Sequence, residues 1–487
     1  MKHFVFVAFS LMIITACENS AEEQEKLPNV IFILADDMGY GDVRALNPNS
    51  GTPTTNIDQL LNEGMHFTDA HSNAAVCTPT RYGLLTGRYA FRTRLKSGVL
   101  VGYDPPLIAE ERLTLGGLFS EASYNTAAIG KWHLGLDWPK KNTTLPLLDG
   151  DQWSDPGTEN VDYDGQIGGG PTERGFDYSY IIPSSLDIAP YCYISNGKLT
   201  KPITSKIEFE NSQRGVFWRA SDLQQDFKLE ETLEHLTTVA LDYIEEQATD
   251  KENPFFLYLP LTAPHTPWLP NEAARGKSEA GVYGDFVVQV DQSVGAIMQK
   301  LEALGIEDET LIVFTSDNGA HWTPADKKQF AHRANHVFRG MKSDALEGGH
   351  RVPFIVRWPG NVNAGTVNNE IVSMTDMMAT FADLTQQLVE VEDSNSILNL
   401  LLNKDGFKPR EYTINHGING TFAVRKGKWK LIDAKGSGGW TDNGKNAEYD
   451  MQLYDLEKDI REENNLVADY PDLVKELKTV IDEYKKL

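Results

Sequence analysis

A chain of 487 residues is longer than one compact core usually fills, so a large domain with a smaller companion is expected. Hydrophobic residues make up 40% and charged residues 24%, a globular composition that excludes a disordered chain and a membrane bundle. The net charge of −25 disfavours generic binding to nucleic acid or to an anionic surface, so an anionic ligand needs a local basic pocket.

In chain order, residues 1–17, MKHFVFVAFSLMIITAC, read as a signal peptide. A basic end precedes an apolar run of about a dozen residues, too short to span a bilayer comfortably. The run stops at Cys17, and Ile14, Thr15, Ala16 and Cys17 resemble a bacterial lipobox, whose cysteine is lipidated. An ordinary signal peptide cleaved nearby is the alternative. On the first reading residues 18–27 are an acidic tether, and the protein is an exported lipoprotein, periplasmic or on the outer-membrane surface, that meets the membrane only through its lipid.

Residues 29–37, NVIFILADD, form a continuous apolar run that ends in two carboxylates, and residues 310–319, TLIVFTSDNG, repeat that form. Runs apolar on both faces suit central strands covered by helices, and chemistry in such sheets collects at the carboxyl ends of strands. Asp36, Asp37, Asp317 and Asn318 therefore fall where a site belongs. Residues 56–64 and 287–305 have helical spacing with glycine stops, and residues 254–268, PFFLYLPLTAPHTPW, read as a third buried strand running into a proline-broken loop. This alternation over the first 380 residues predicts an α/β sandwich, and the large domain is placed at residues 28–404. Residues 149–175 are rich in glycine and aspartate and lack periodicity, as a long functional loop does. From residue 405 to 487 the pattern changes to antiparallel strands at TFAVRKGKWKLI and MQLYDLEKD and a terminal helix from about Asp472, which predicts a smaller α+β unit.

Four oxygen-rich side chains at two strand ends, with no cluster of cysteine or histidine beside them, favour Ca²⁺ or Mg²⁺ over zinc. The three cysteines are Cys17, Cys77 and Cys192. If Cys17 carries lipid, a Cys77 to Cys192 disulfide is one possibility in an oxidising compartment.

The neighbours of Cys77 point elsewhere. The stretch CTPTR, residues 77–81, followed by LLTGR, resembles the CxPxR and TGR signature of the type I sulfatases, formylglycine-dependent enzymes of the alkaline phosphatase superfamily. The resemblance continues in family order through GKWHLG (130–135), APHTPW (263–268), SDNG (316–319) and FRGMKSDALEGGHRVPFIVRWPG (338–360), and covers nearly all of the mature chain. It implies an alkaline-phosphatase-like sandwich with a central mixed, mainly parallel sheet, and a C-terminal domain with an antiparallel sheet. It also implies that a formylglycine-generating maturation enzyme oxidises Cys77 to Cα-formylglycine, whose hydrate attacks sulfur and whose second hydroxyl then expels sulfate.

By the same resemblance Asp36, Asp37, Cys77, Asp317 and Asn318 surround a Ca²⁺, Arg81 steadies the nucleophile, and Lys131 and Lys342 bind sulfate. His133 is the base that triggers sulfate release and His265 the acid near the leaving group. In an extended segment, Lys131 and His133 would point the same way. Asp187, Trp268, His321 and Arg333 are further candidates for substrate contacts. The implied activity is hydrolysis of sulfate esters on sulfated carbohydrate. A phosphate or phosphonate ester hydrolase of the same superfamily is the alternative, one that normally uses serine or threonine and a histidine-richer pair of metals.

Overall fold

The computed structural model describes residues 27–153 and 159–487. The signal peptide, Cys17 and all of the tether but Leu27 lie outside the described residues, among which no helix is long and apolar enough to cross a membrane. The apolar runs become the strands of a mixed sheet: β1 (Asn29–Ala35), β2 (Met65–Phe67), β3 (Asn125–Lys131), β4 (Tyr178–Ile182), β5 (Ile194–Ser195), β6 (Lys198–Leu199), β7 (Phe255–Pro260), β8 (Thr310–Ser316), β9 (Phe354–Arg357) and β10 (Thr366–Asn368). Their spatial order is β10-β2-β9-β8-β1-β7-β3-β4-β5-β6. The central five, β8, β1, β7, β3 and β4, are parallel.

Strands β7 and β8 are buried at every position, as expected where both faces are covered. Two groups of helices do the covering. Helices α1 (Thr55–Asn62), α4 (Thr232–Gln247) and α5 (Gly281–Leu304) pack through α5, while α2 (Cys77–Thr86), α3 (Leu115–Glu121) and α6 (Asp376–Leu384) pack on one another. Helix α5 buries Val287, Val290, Val294, Ile297 and Leu301, spaced three and four apart, and stops at Gly305 with φ 67°.

The register of β1 on β8 pairs Ala35 with Ser316, so Asp36 and Asp37 emerge beside Asp317 and Asn318. A pair of motifs about 280 residues apart is thus joined by strand pairing. Beneath Lys131, Gly130 has φ 134°, and a Cβ there would lie 1.9 Å from the Pro260 carbonyl oxygen of β7. Only glycine allows that approach.

The C-terminal part is an antiparallel sheet of β11 (Thr413–His416), β12 (Phe422–Lys426), β13 (Trp429–Ile432) and β14 (Gln452–Asp455), crossed by α7 (Pro471–Tyr484). Leu477 and Ile481 of α7 share a core with Val424, Leu431 and Leu453, and Tyr89 and Phe91 of the large domain enter that core too. A buried charge network also joins the two parts. Arg425 grips Asp69 through two 2.6 Å bonds, Lys430 lies 2.9 Å from Glu347 and 2.8 Å from Glu462, and His71 meets His350 at 2.9 Å.

The aperiodic segment is less irregular than its composition suggests. Isolated bridges tie Asp137 to Gly168, Lys140 to Val161 and Leu148 to Glu159.

Candidate active site

Cys77 opens α2, a ten-residue helix buried along its whole length. Val76 before it is extended, and Pro79 falls in the first turn, where its missing N–H would have no intrahelical partner. Cys77 and Arg81 are four residues apart, so they share a helix face and look the same way. The spacing of the motif has this geometric meaning. Gly87, with φ 63°, ends the helix.

Cys77 and Cys192 are both buried free thiols, so the disulfide possibility does not hold. Burial pushes the Cys77 thiol up to about 12 against the pull of Lys131 and Lys342. At neutral pH it is protonated and a poor nucleophile.

Arg81 ties three strands together. Its guanidinium donates to Asp317 Oδ2 at 2.7 and 3.1 Å, donates to the Lys131 carbonyl at 2.9 Å, and stands 3.4 Å from Asp36 Oδ1. Lys131 reaches Asp36 Oδ2 at 2.7 Å, and Lys342 reaches Asp37 Oδ2 at 2.8 Å. Asn318 Nδ2 donates to Asp37 Oδ1 at 2.7 Å, and the Asp37 amide donates to Asp317 Oδ1 at 3.1 Å. Three buried carboxylates therefore face three buried cations. Burial opposes ionisation of Asp36, but Lys131, His265 and Arg81 outweigh it and hold the carboxyl well below the usual range. Burial and the adjacent Asp36 charge push Asp317 the other way, up to about 7.

The donor set fits a hard divalent cation. Buried Asp36 Oδ1 and Asn318 Oδ1 have no hydrogen-bond partner, an arrangement proteins normally avoid unless something else satisfies the atom. Donor atoms of Asp36, Asp37, Cys77 and His265 lie within 4.8 Å of one another. Asp317 also accepts from Arg81 and the Asp37 amide, with lone pairs left over for an ion, while His265, expected only as an acid, stands inside this cluster.

The two histidines are fixed at one nitrogen each. His133 Nε2 donates to the Leu100 carbonyl at 2.8 Å, so Nδ1 keeps the lone pair, and this buried atom has no partner. Burial, Lys131 and Arg81 hold its pKa well below the ordinary value. The expected alternation does not carry from Lys131 to His133, because β3 ends at Lys131 and His133 turns with φ 57°. His265 Nδ1 donates to the Thr266 carbonyl at 2.6 Å, leaving Nε2 3.8 Å from Asp37 Oδ2.

Of the four substrate candidates, Asp187 stands 3.8 Å from His265 Nδ1 and is held by Arg219 at 3.1 Å. His321 borders an open cleft of about 470 Å³ with Thr266, Arg214 and Gln213. Burial, Arg214 and Lys342 bring its pKa down to about 4. Trp268 is packed rather than presented, with Arg214 over its ring at 4.4 Å and Tyr283 at 5.3 Å. Arg333 is exposed and turns back on its own loop, donating to the carbonyls of Phe330, Ala331 and His332. The structure gives it no contact with the cluster. Arg214 and Arg219 were not legible as site residues, because the strands 210–213 and 216–218 that frame Arg214 are short and have no buried residue.

An α/β sandwich with acidic strand ends, a helix-borne Cys77 and flanking lysines and histidines defines a hydrolase of the alkaline-phosphatase-like fold. The sequence model of the sulfatase family matches residues 28–387, and that of the N-sulphoglucosamine sulphohydrolase C-terminal family matches residues 341–486. The chain belongs to the sulfatase family, and it is an enzyme that hydrolyses sulfate esters. It is 31% identical to the N-acetylgalactosamine-6-O-sulfatase of Bacteroides thetaiotaomicron, with 98% of this chain and 97% of that one covered. Human arylsulfatase A is 29% identical over 91% of this chain and 83% of its own length. A solved Bacteroides thetaiotaomicron sulfatase, described with a locus for glycosaminoglycan metabolism, superposes with a TM-score of 0.81 at 31% identity, covering 95% of this chain and all of that one. A Pseudoalteromonas sulfatase shares the fold at a TM-score of 0.69, with 24% identity and 95% and 90% coverage.

Proposed function

We propose that this sulfatase removes O-sulfate from sulfated amino sugars, N-acetylgalactosamine 6-sulfate first among them, with Cys77 converted to formylglycine and Ca²⁺ held by Asp36, Asp37, Asp317 and Asn318. The observation that carries the site assignment is the position of Cys77 among Lys131, Lys342 and the partnerless oxygens of Asp36 and Asn318. The sugar rests on the N-acetylgalactosamine-6-O-sulfatase relative, which this chain matches over nearly its full length.

Formylglycine, once formed at residue 77, would supply as its hydrate a nucleophilic hydroxyl and a second hydroxyl for product release. Ca²⁺, held by Asp36, Asp37, Asp317 and Asn318, would supply positive charge against the oxygens gathered at the site. The chain's own groups do the rest. Lys131 and Lys342, cations held by Asp36 and Asp37, flank Cys77 and neutralise sulfate oxygens. His133 accepts a proton at Nδ1, the nitrogen left open by the bond from Nε2 to Leu100. His265 gives a proton to the leaving sugar oxygen from Nε2, because Nδ1 is committed to Thr266. Arg81 holds Asp317 and the end of β3 in register below the nucleophile.

The signal-peptide and lipobox pattern ending at Cys17 supports an exported lipoprotein, periplasmic or on the outer-membrane surface, matured by a formylglycine-generating enzyme. Replacing Cys17 with alanine then moves the protein from the membrane fraction to the soluble one. The function is tested with protein coexpressed with a maturation enzyme, measuring sulfate release from singly sulfated N-acetylgalactosamine, N-acetylglucosamine and galactose isomers. Nitrophenyl sulfate and nitrophenyl phosphate are run in parallel. Fastest turnover on N-acetylgalactosamine 6-sulfate is expected; preference for the phosphate ester, or release from no sugar, rejects the proposal.

A further inference from the structure

The C-terminal sheet brings one aromatic residue, Trp440, against His321, which borders the open cleft. Residues 436–440, Gly-Ser-Gly-Gly-Trp, run along the segment that carries Lys342. The Trp440 amide donates to Ser343 Oγ at 3.0 Å, Ser437 Oγ donates to Asp344 Oδ1 at 2.7 Å, and the Thr441 amide reaches the same oxygen at 3.1 Å. A Cβ on Gly439 would lie 2.4 Å from the Ser343 carbonyl oxygen, so the two backbones touch. Lys342 and Ser343 are themselves pinned, their amides donating to Ala320 at 3.1 Å and to Ala75 at 2.7 Å.

This clamp fixes the backbone of Trp440 yet leaves the residue 49% exposed. Its ring stands 5.1 Å from that of His321 at an interplanar angle of 60°. His321 lines the cleft and feels the charges of Lys342 and Asp37. Single exposed aromatic residues are common on protein surfaces and need no explanation by themselves. A tryptophan held rigidly next to the segment of a sulfate-binding lysine is a different case. An indole offers a flat apolar face and loses little freedom on contact. A hexosamine has one face of C–H groups that matches it.

We propose that Trp440 is a specificity-determining platform, stacking on the ring of the sugar that bears the scissile sulfate. The inference rests on the proposed action on sulfated sugars and adds the residue that reads the ring. It separates two tasks, sulfate recognition by Lys131 and Lys342 and sugar recognition by a loop of the C-terminal sheet.

The test compares wild type, Trp440→Ala and Trp440→Phe on the sulfated sugar that wild type turns over fastest in the panel above. Inorganic sulfate, which has no ring, serves as a competitive inhibitor that probes the sulfate pocket alone. Trp440→Ala is expected to raise KM about tenfold with kcat within about twofold, and Trp440→Phe to recover most of the loss. The inhibition constant of sulfate stays within about twofold of wild type in both variants. An active wild type matched by Trp440→Ala in KM overturns the platform alone. A sulfate constant that rises in step with KM also overturns it, since the loop then serves only to hold Lys342. A wild type that cleaves no sulfated sugar overturns both the platform and the substrate class.

Discussion

Chelator removal and Ca²⁺ refilling probe the oxygen cluster without requiring turnover. Asp36 Oδ1 and Asn318 Oδ1 are buried and lack hydrogen-bond partners; Arg81 approaches the first only as an ion pair at 3.4 Å. An orphaned buried acceptor costs about 1 to 3 kcal/mol, which a bound cation relieves. At a free Ca²⁺ concentration about 100 times the dissociation constant, mass action adds about 2.7 kcal/mol to stability. A chain of this length unfolds with an entropy of about 1 kcal/mol/K, so Tm should rise by about 3 °C, and by a further 1.4 °C or so per decade of Ca²⁺. Differential scanning fluorimetry of Cys77→Ala protein, stripped and then titrated, measures this independently of maturation. Mg²⁺ should give a smaller rise, because it demands tighter octahedral geometry. Asn318→Leu, which replaces the partnerless oxygen by a methyl group, should lose most of the Ca²⁺ response. No rise at millimolar Ca²⁺, or a full rise in Asn318→Leu, would refute the reasoning.

Three further outcomes are expected. His133→Ala and His265→Ala should each lower kcat by about 10²- to 10⁴-fold while Tm stays close to that of wild type, measured by steady-state sulfate release and fluorimetry. Gly130→Ala places a Cβ 1.9 Å from the Pro260 oxygen at φ 134°, so it should destabilise the fold by about 3 kcal/mol or more, seen as a lowered denaturation midpoint or loss of soluble protein. His71 and His350 are buried and held below their ordinary value of 6.5, chiefly by desolvation, so the unfolded chain binds more protons than the folded one in mild acid. Their contribution is complete above 6.5 and is lost as pH falls from there, by up to about 1.4 kcal/mol per pH unit for each histidine. Tm measured from about pH 7.5 to about pH 5.5 should fall more steeply for wild type than for His350→Gln.

Much of this was legible because two kinds of signal are local. The runs before Asp36 and Asp317 carry continuous apolar stretches, VIFILA and LIVF, which mark central strands, and the carboxylates that follow mark the strand ends. Gly305 marked the end of α5 in the same way. The spacing of Cys77 and Arg81 is likewise a property of one helix turn. What escaped depends on contacts distant in sequence. Arg214 sits in the turn between two short strands without a buried residue, but is placed by Asp326 and by the face of Trp268, over 50 residues away. The turn at His133 follows from strand β3 ending at Lys131, which no alternation in sequence announces. Arg333 has the residue type of a substrate contact, yet three nearby carbonyls claim its guanidinium. Trp440 lies in a glycine-rich stretch that looks like linker until the C-terminal sheet docks it on Ser343.

The central claim is that a converted Cys77 works in this oxygen-rich pocket. Peptide mass spectrometry of fully active protein tests it most directly. The account predicts that residue 77 carries an aldehyde or its hydrate in proportion to specific activity; full activity with an intact thiol at that position would contradict it.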